Sequence, residues 1–209
     1  MGFEELCPAI CADAPNVDLL PALNKLVHAH VTPLQLPGGY TLIQQECVPD
    51  HMYYVHHGRI ISYEHNDTGQ ALTSLWKSDD IILPRTFLDR TPSSETIQSL
   101  TACKLSALSY QAICDIIATN TEAANMFHLL LNRMLNDAFQ KITDLKQKTA
   151  LDRYNDFIHH YRGIEHFLPQ KQIAVLLGIK PQSLSRIRRA LQLKEKLRSV
   201  CAAATENTF

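Results

Sequence analysis

The most concentrated chemistry in this sequence lies near its C-terminal end. Residues 169–200 carry Lys171, Lys180, Arg186, Arg188, Arg189, Lys194, Lys196 and Arg198 against Glu195 alone, a local charge of 8 − 1 = +7. The remaining residues hold 12 basic and 20 acidic side chains, or −8, so the overall −1 hides a basic block on an acidic body. That asymmetry predicts a polyanion meeting one end of the chain. Inside the block, Ile173, Ala174, Leu177, Gly178, Ile179, Leu184 and Ile187 are spaced as two helices crossing at a tight turn require. Ala174 is small enough for close crossing, Gly178 can adopt the left-handed turn conformation, and Pro181 suits the first turn of the second helix. Lys180 is a weak cap there, where Ser or Thr is expected. The outward face of the second helix offers Gln182, Ser183, Ser185, Arg186 and Arg189. Such side chains can reach base edges from the N-terminal end of a helix lying in a major groove. Lys171 and Lys180 are candidates for phosphate contacts. The predicted partner is duplex DNA. The plainer alternative is an amphipathic helical hairpin without a nucleic-acid role.

Other chemistry-bearing residues are scattered. Six cysteines, at 7, 11, 47, 103, 114 and 201, contain no Cys-x-x-Cys pair. They read as small apolar residues, reduced in a cytoplasmic setting. Ten histidines include His28, His30, His51, His56, His57, His159, His160 and His166, but none stands at ligand spacing from a carboxylate or cysteine. No metal is predicted. No Ser-His-Asp order, metalloprotease motif or glycine-rich phosphate loop occurs, so no enzyme is predicted either. An enzymatic rival would place a metal on His51, His56 and His57.

These residues need elements to hold them. Leu19, Leu20, Leu23, Leu26 and Val27 recur at helical spacing and predict a helix over 15–31. From residue 33 the pattern shortens. Apolar runs at 34–36, 40–43, 52–55, 60–63, 71–76, 81–83, 96–100 and 105–108 are separated by turn residues. Eight short runs without intervening helices predict an antiparallel jelly roll. Trp76, Tyr53 and Tyr54 are expected in its core. Ser109 is a candidate N-cap for a helix over 110–118. A longer helix follows over about 122–147. Phe127, Leu131, Leu135, Ala138, Ile142 and Leu145 step by 4, 4, 3, 4 and 3, a heptad-like stripe that predicts a homodimer. The plainer reading packs this stripe on the chain's own β-domain. No Gly or Pro interrupts residues 93–162, so this helix is itself the expected linker. A helix over 150–161, ended by Gly163, precedes the basic block.

Hydrophobic residues make up 45% and charged residues 20% of 209 residues, which excludes a disordered chain. No apolar run approaches a membrane span. The first fifteen residues have no basic stretch typical of a signal peptide, and Leu6 stands where a myristoylation motif needs Ser or Thr.

A β-rich first half, a long heptad helix and a C-terminal helix-turn-helix together resemble the Crp/Fnr family of bacterial transcription regulators, over nearly the whole chain. The tail Ile173-Ala174-x-Leu176-Leu177-Gly178-Ile179 through Arg189 resembles the recognition module of Bacteroidetes members. The family's Glu-x-x-Ser-Arg motif reads Gln182-Ser183-Leu184-Ser185-Arg186 here. Residues 49–60, PDHMYYVHHGRI, resemble the family's β-hairpin, with Gly58 and Gly69 at its turns. The resemblance implies an α+β fold with an N-terminal double-stranded β-helix (jelly roll), a long dimerisation helix and a C-terminal winged helix-turn-helix. The divisions are 1–121 for a cyclic-nucleotide-binding-like sensor, 122–147 for the dimer helix and 148–209 for DNA binding. It also implies a palindromic operator and RNA polymerase as partners. The family's phosphate cassette departs here: Leu83-Pro84 replaces Gly-Glu, and Ser93 replaces the phosphate-pairing Arg, with Glu95 close by. The sequence therefore argues against cyclic AMP. Arg85, Arg90, Ser93, Ser94 and Glu95 remain the candidate ligand pocket, for an effector of unknown identity. After Leu197 the chain is too short for a complete wing hairpin. Two alternatives remain. One is a ligand sensor without DNA function. The other is the family's iron–sulfur or metal-dependent redox branch, using Cys7 and Cys11 with Cys47 or Cys103.

Overall fold

In the computed structural model, residues 29–66 and 69–206 are described, with the backbone alone for 195–206. All but the last residues of the expected 15–31 helix, together with Cys7 and Cys11, lie outside this range.

The apolar runs become strands: β1 (Thr32–Leu36), β2 (Thr41–Ile43), β3 (His51–His57), β4 (Ile60–Asn66), β5 (Gly69–Trp76), β6 (Ile81–Ile82), β7 (Thr96–Ser99) and β8 (Cys103–Ser109). They form two four-stranded sheets, ordered β1-β8-β3-β6 and β2-β7-β4-β5. Every pairing is antiparallel. Both sheets contribute to one core: Tyr53, Val55, Ile82, Leu105 and Ala107 from the first, and Ile43, Ile60 and Ile97 from the second. The segment expected to be a hairpin at Gly58 is not one. β3 pairs with β6 and β8, and β4 pairs with β5 and β7, so the Gly58 turn carries the chain between sheets.

Strand β3 explains why its sequence does not alternate. Tyr53 and Val55 face the core between the sheets. Met52 and Tyr54 face the opposite way, against Ile116, Ala123, Met126 and Leu130 of the following helices. A strand covered on both faces reads as a continuous apolar run. Burial pushes the Tyr53 phenol up to about 12, in keeping with its place in the core.

Among the described glycines, Gly58 has the least room for a side chain. Its φ is +107°, and a Cβ there would lie 2.5 Å from the Cys103 sulfur and 2.7 Å from the Ala102 carbonyl oxygen. The second obstacle is backbone and cannot rotate away. Gly58→Ala should therefore destabilise the β-domain by roughly 2–5 kcal/mol, adding backbone strain to overpacking. Chemical denaturation measures this. A loss below about 1 kcal/mol would show that the turn relaxes freely.

Helix α1 (Tyr110–Thr119) begins where expected: the Ser109 hydroxyl accepts a bond from the Ala112 N–H at 3.2 Å. Helix α2 (Thr121–Gln147) follows, its first turn capped by Asn120, whose side-chain oxygen accepts from the Ala123 N–H. Thr149 caps α3 (Ala150–His160) in the same way, through the Asp152 N–H. A 3-10 turn at Ile164–His166 leads to α4 (Gln170–Leu176) and α5 (Pro181–Glu206). Among the described residues, those up to Gln140 form one compact unit and those from Lys141 another, so the division falls within α2. No strand follows β8 among the described residues; the tail that a wing would occupy continues as α5. Residues 198–206, RSVCAAATE, contain no Gly or Pro to break a helix. No described helix is long and apolar enough to cross a membrane.

Candidate nucleic-acid interface and ligand loop

Helices α4 and α5 meet at a turn whose hydrogen bonds follow from Gly178. Its φ of +61° lets its own N–H bond the Val175 carbonyl and the Ile179 N–H bond the Ala174 carbonyl, at 3.0 and 2.9 Å. This reciprocal pair closes α4 and turns the chain sharply. The Lys180 carbonyl then accepts from the N–H groups of Ser183 and Leu184, opening α5. Ile173, Ala174, Ile179 and Leu184 are all buried, and the full burial of Ala174 marks the close crossing of the two helices. With Leu184 facing inward, Gln182, Ser185, Arg186 and Arg189 are exposed and Ser183 is half-buried. Gln182 and Arg186 stand one helical turn apart on the same outward side. Lys171 and Lys180 are also exposed, on α4 and the turn. The structure therefore brings these seven residues to the surface of one unit, within a segment whose net charge is +7.

The stripe on α2 divides. Ala123, Met126 and Leu130 are buried against the β-domain, with Phe127 and Met134 partly buried beside them. Phe127 thus packs in part within its own chain, unlike the more exposed residues further along. Further along, Leu135 is 53% exposed, Ile142 48% and Leu145 50%, with Ala138 also exposed and Leu131 half-buried. Phe139, 57% exposed, joins this face. Spacing alone does not choose between it and Ala138, because steps of three and of four from Leu135 both continue a heptad-like stripe.

The candidate ligand residues separate into two groups. Arg85 lies 3.3 Å from Glu64 of β4 and 3.6 Å from Glu95, which is only 2% exposed. The Thr73 hydroxyl of β5 donates to the other Glu95 oxygen at 2.9 Å and is itself 2.7 Å from the Ser62 hydroxyl. Ser94 donates to Glu64 at 3.3 Å, and the buried Ser93 hydroxyl bonds the backbone of Glu95. Arg85, Ser93, Ser94 and Glu95 are thus brought together, with Glu64, Thr73 and Ser62 that no local sequence signal marks. Arg90 is held elsewhere. Its guanidinium donates to the Pro49 carbonyl, pairs with Asp50 at 3.0 Å and lies over the Tyr110 ring.

His56 is 2.7 Å from the Ser106 hydroxyl, and no group of three His, Cys, Asp or Glu suited to a metal occurs among the described residues. Burial pushes the Cys103 thiol up despite bonds to Arg59 and Thr101, which disfavours the thiolate a cluster needs. Cys47 is exposed.

Residues 33–120 match the cyclic nucleotide-binding domain family. No curated protein matches the sequence. Among solved structures, the chain resembles the c-di-GMP-responsive global regulator CLP of Xanthomonas campestris, at 16% identity and TM-score 0.62, over 83% of this chain and 92% of that one. FixK2 of Bradyrhizobium japonicum aligns at 15% identity and TM-score 0.64, covering 79% and 86%. A transcriptional regulator assigned to the Crp/Fnr family, from Eubacterium rectale, aligns at 19% and TM-score 0.62, covering 85% of each chain. At such identities the likeness establishes the fold: a cyclic nucleotide-binding domain whose structural neighbours include Crp/Fnr-type transcription regulators.

Proposed function

We propose that this chain, a cyclic nucleotide-binding domain followed by a helical basic unit, is a sequence-specific DNA-binding transcription regulator acting as a homodimer, not an enzyme. In this reading α4 and α5 are a helix-turn-helix, with the N-terminal end of α5 entering the major groove. Residues 122–147 supply the dimer helix and 148–209 the DNA-binding part. The wing is absent from the reading, since the tail is helical. The observation that carries it is the outward face of α5, where Gln182, Ser185, Arg186 and Arg189 are exposed beside a turn closed by Gly178. Gln182 and Arg186 read bases; Lys171, Lys180 and Arg189 hold phosphates. A cytoplasmic setting and RNA polymerase as a further partner belong to the same reading. Selection of binding sites from random duplexes tests it. Selected sites should contain two inverted half-sites about 34 Å apart, one turn of duplex. Absence of a two-fold repeat would overturn the docking.

The β-domain senses an effector other than cyclic AMP. Arg85 already faces two carboxylates, Glu64 and the buried Glu95, so an added phosphate meets excess negative charge. Cyclic AMP at about 1 mM should leave the Tm unchanged, since ligand stabilisation grows only as the concentration passes Kd. Micromolar affinity in calorimetry would show that Arg85 exchanges its partners for the ligand.

A further inference from the structure

The end of α2, the start of α3 and the turn before α5 meet at one side chain. Arg153 donates from Nη1 to the carbonyls of Leu145 and Lys148, at 3.0 and 3.1 Å. From Nη2 it donates to the Gly178 carbonyl at 3.2 Å. Carbonyls at the end of a helix lack intrahelical donors, and positive charge is favourable there. Arg153 supplies donors and charge to the end of α2 while its second nitrogen holds the turn that launches α5. Two further contacts tighten the same junction. Lys148 Nζ lies 2.7 Å from both Asp144 and Asp156, fastening α2 to α3, and these bonds hold its ammonium above the usual range. A Cβ on Gly178 would come within 3.0 Å of the Leu145 side chain, so the turn already abuts the helix end. All these residues belong to the unit that begins at Lys141.

We propose that Arg153 is a positioning residue that locks the last turns of α2 to the Gly178 turn, so that the pairing of two α2 helices sets the separation of two α5 N-termini on DNA. The proposal rests on the DNA-binding reading and adds a residue that touches no DNA. The guanidinium is suited to the task because its planar fork presents separate donors to two segments; the ammonium of Lys is a single point that cannot span both. Loss of the fork leaves α5 and its base-reading face intact but releases their alignment to the helix end. A residue needed only for folding would weaken every DNA site alike. An aligning residue changes how strictly the spacing of half-sites is read.

The test uses the full chain, wild type, Arg153→Gln and Arg153→Lys, against three duplexes: the selected operator, the operator with two base pairs inserted between half-sites, and a single half-site. Wild type should prefer the operator over the inserted duplex by about tenfold or more, because the insertion costs it simultaneous engagement. Both variants should reduce that preference to within about threefold while keeping dimer mass and single-half-site affinity. An unchanged preference, or an equal loss on all three duplexes, would overturn the proposal. Hydrogen exchange separates its failure from failure of the DNA reading, because it needs no DNA. In Arg153→Gln the amides of Lys148, Gly178 and Ile179 should exchange about tenfold faster, while those of β3 and β8 keep their rates. If wild type binds no duplex, the DNA reading falls and exchange alone decides the lock. Unchanged exchange at either segment would refute it.

Discussion

Leu135→Asp should turn a dimer into a monomer and lower operator affinity by a factor on the order of 10²–10⁴, the advantage that bivalent engagement confers. Leu135, Phe139, Ile142 and Leu145 each leave about half their surface exposed within one chain. Four large apolar residues on one side of the second half of α2 are costly to leave in water, and a two-fold partner covers them with the same patch. A carboxylate at position 135 would bring two like charges toward each other in an apolar seam. Residue 135 lies outside the α2 cluster packed on the β-domain, so the folded chain should survive. Sedimentation of both proteins at tens of micromolar checks the result, with circular dichroism as a control for folding. A monomeric wild type, or a dimeric Leu135→Asp protein, would remove this helix from the interface.

Arg186→Ala should cost roughly 1–3 kcal/mol in each half-site and relax preference at one base pair. Arg186 is exposed, one turn beyond Gln182 at the start of α5, where its guanidinium can grip guanine O6 and N7 together. Gln182 offers an amide suited to adenine N6 and N7, whereas Glu at that position would accept from cytosine N4. Gln182→Glu should therefore move the selected base from A·T toward C·G. Lys171→Ala or Arg189→Ala should weaken all sequences alike and lower the salt slope by about one unit for each phosphate that is no longer neutralised. Quantitative binding to the selected operator and its single-base variants, at several salt concentrations, distinguishes the two behaviours. A uniform loss for Arg186→Ala would make it a phosphate contact. An unchanged base preference for Gln182→Glu would end that assignment.

Much of this molecule was legible locally. The short apolar runs matched strands β1 to β8 because strand formation depends on apolar residues bounded by turn residues, and both are written along the chain. Ser109 was legible as a cap because capping involves only residues within one turn. The α4–α5 segment was legible for the same reason: Ala174, Gly178, Ile179 and Leu184 act on neighbours fewer than twelve positions away.

What required tertiary structure involves residues far apart in sequence. The Gly58 segment was expected to be a hairpin from its resemblance to a family segment; sheet pairing with β6, β8, β5 and β7 decided otherwise, since hydrogen bonding across a sheet is indifferent to chain order. Arg85 and Arg90 were grouped by proximity in sequence, yet Glu64 and Glu95 claim one and Asp50 and Pro49 the other. Phe127 belonged to the stripe by spacing, but it is partly buried against its own chain's core, which a heptad count cannot register. Arg153 carried no signal at all, because its partners are backbone carbonyls, and every residue type supplies the same carbonyl. The sequence by itself determined which elements form and which end of the chain is basic, since propensity, periodicity and charge are local sums. Only the tertiary structure decided which loop arginines are occupied, which apolar residues remain exposed and which side chain joins the helix end to the turn, because those depend on distances that the chain sets only once it is folded.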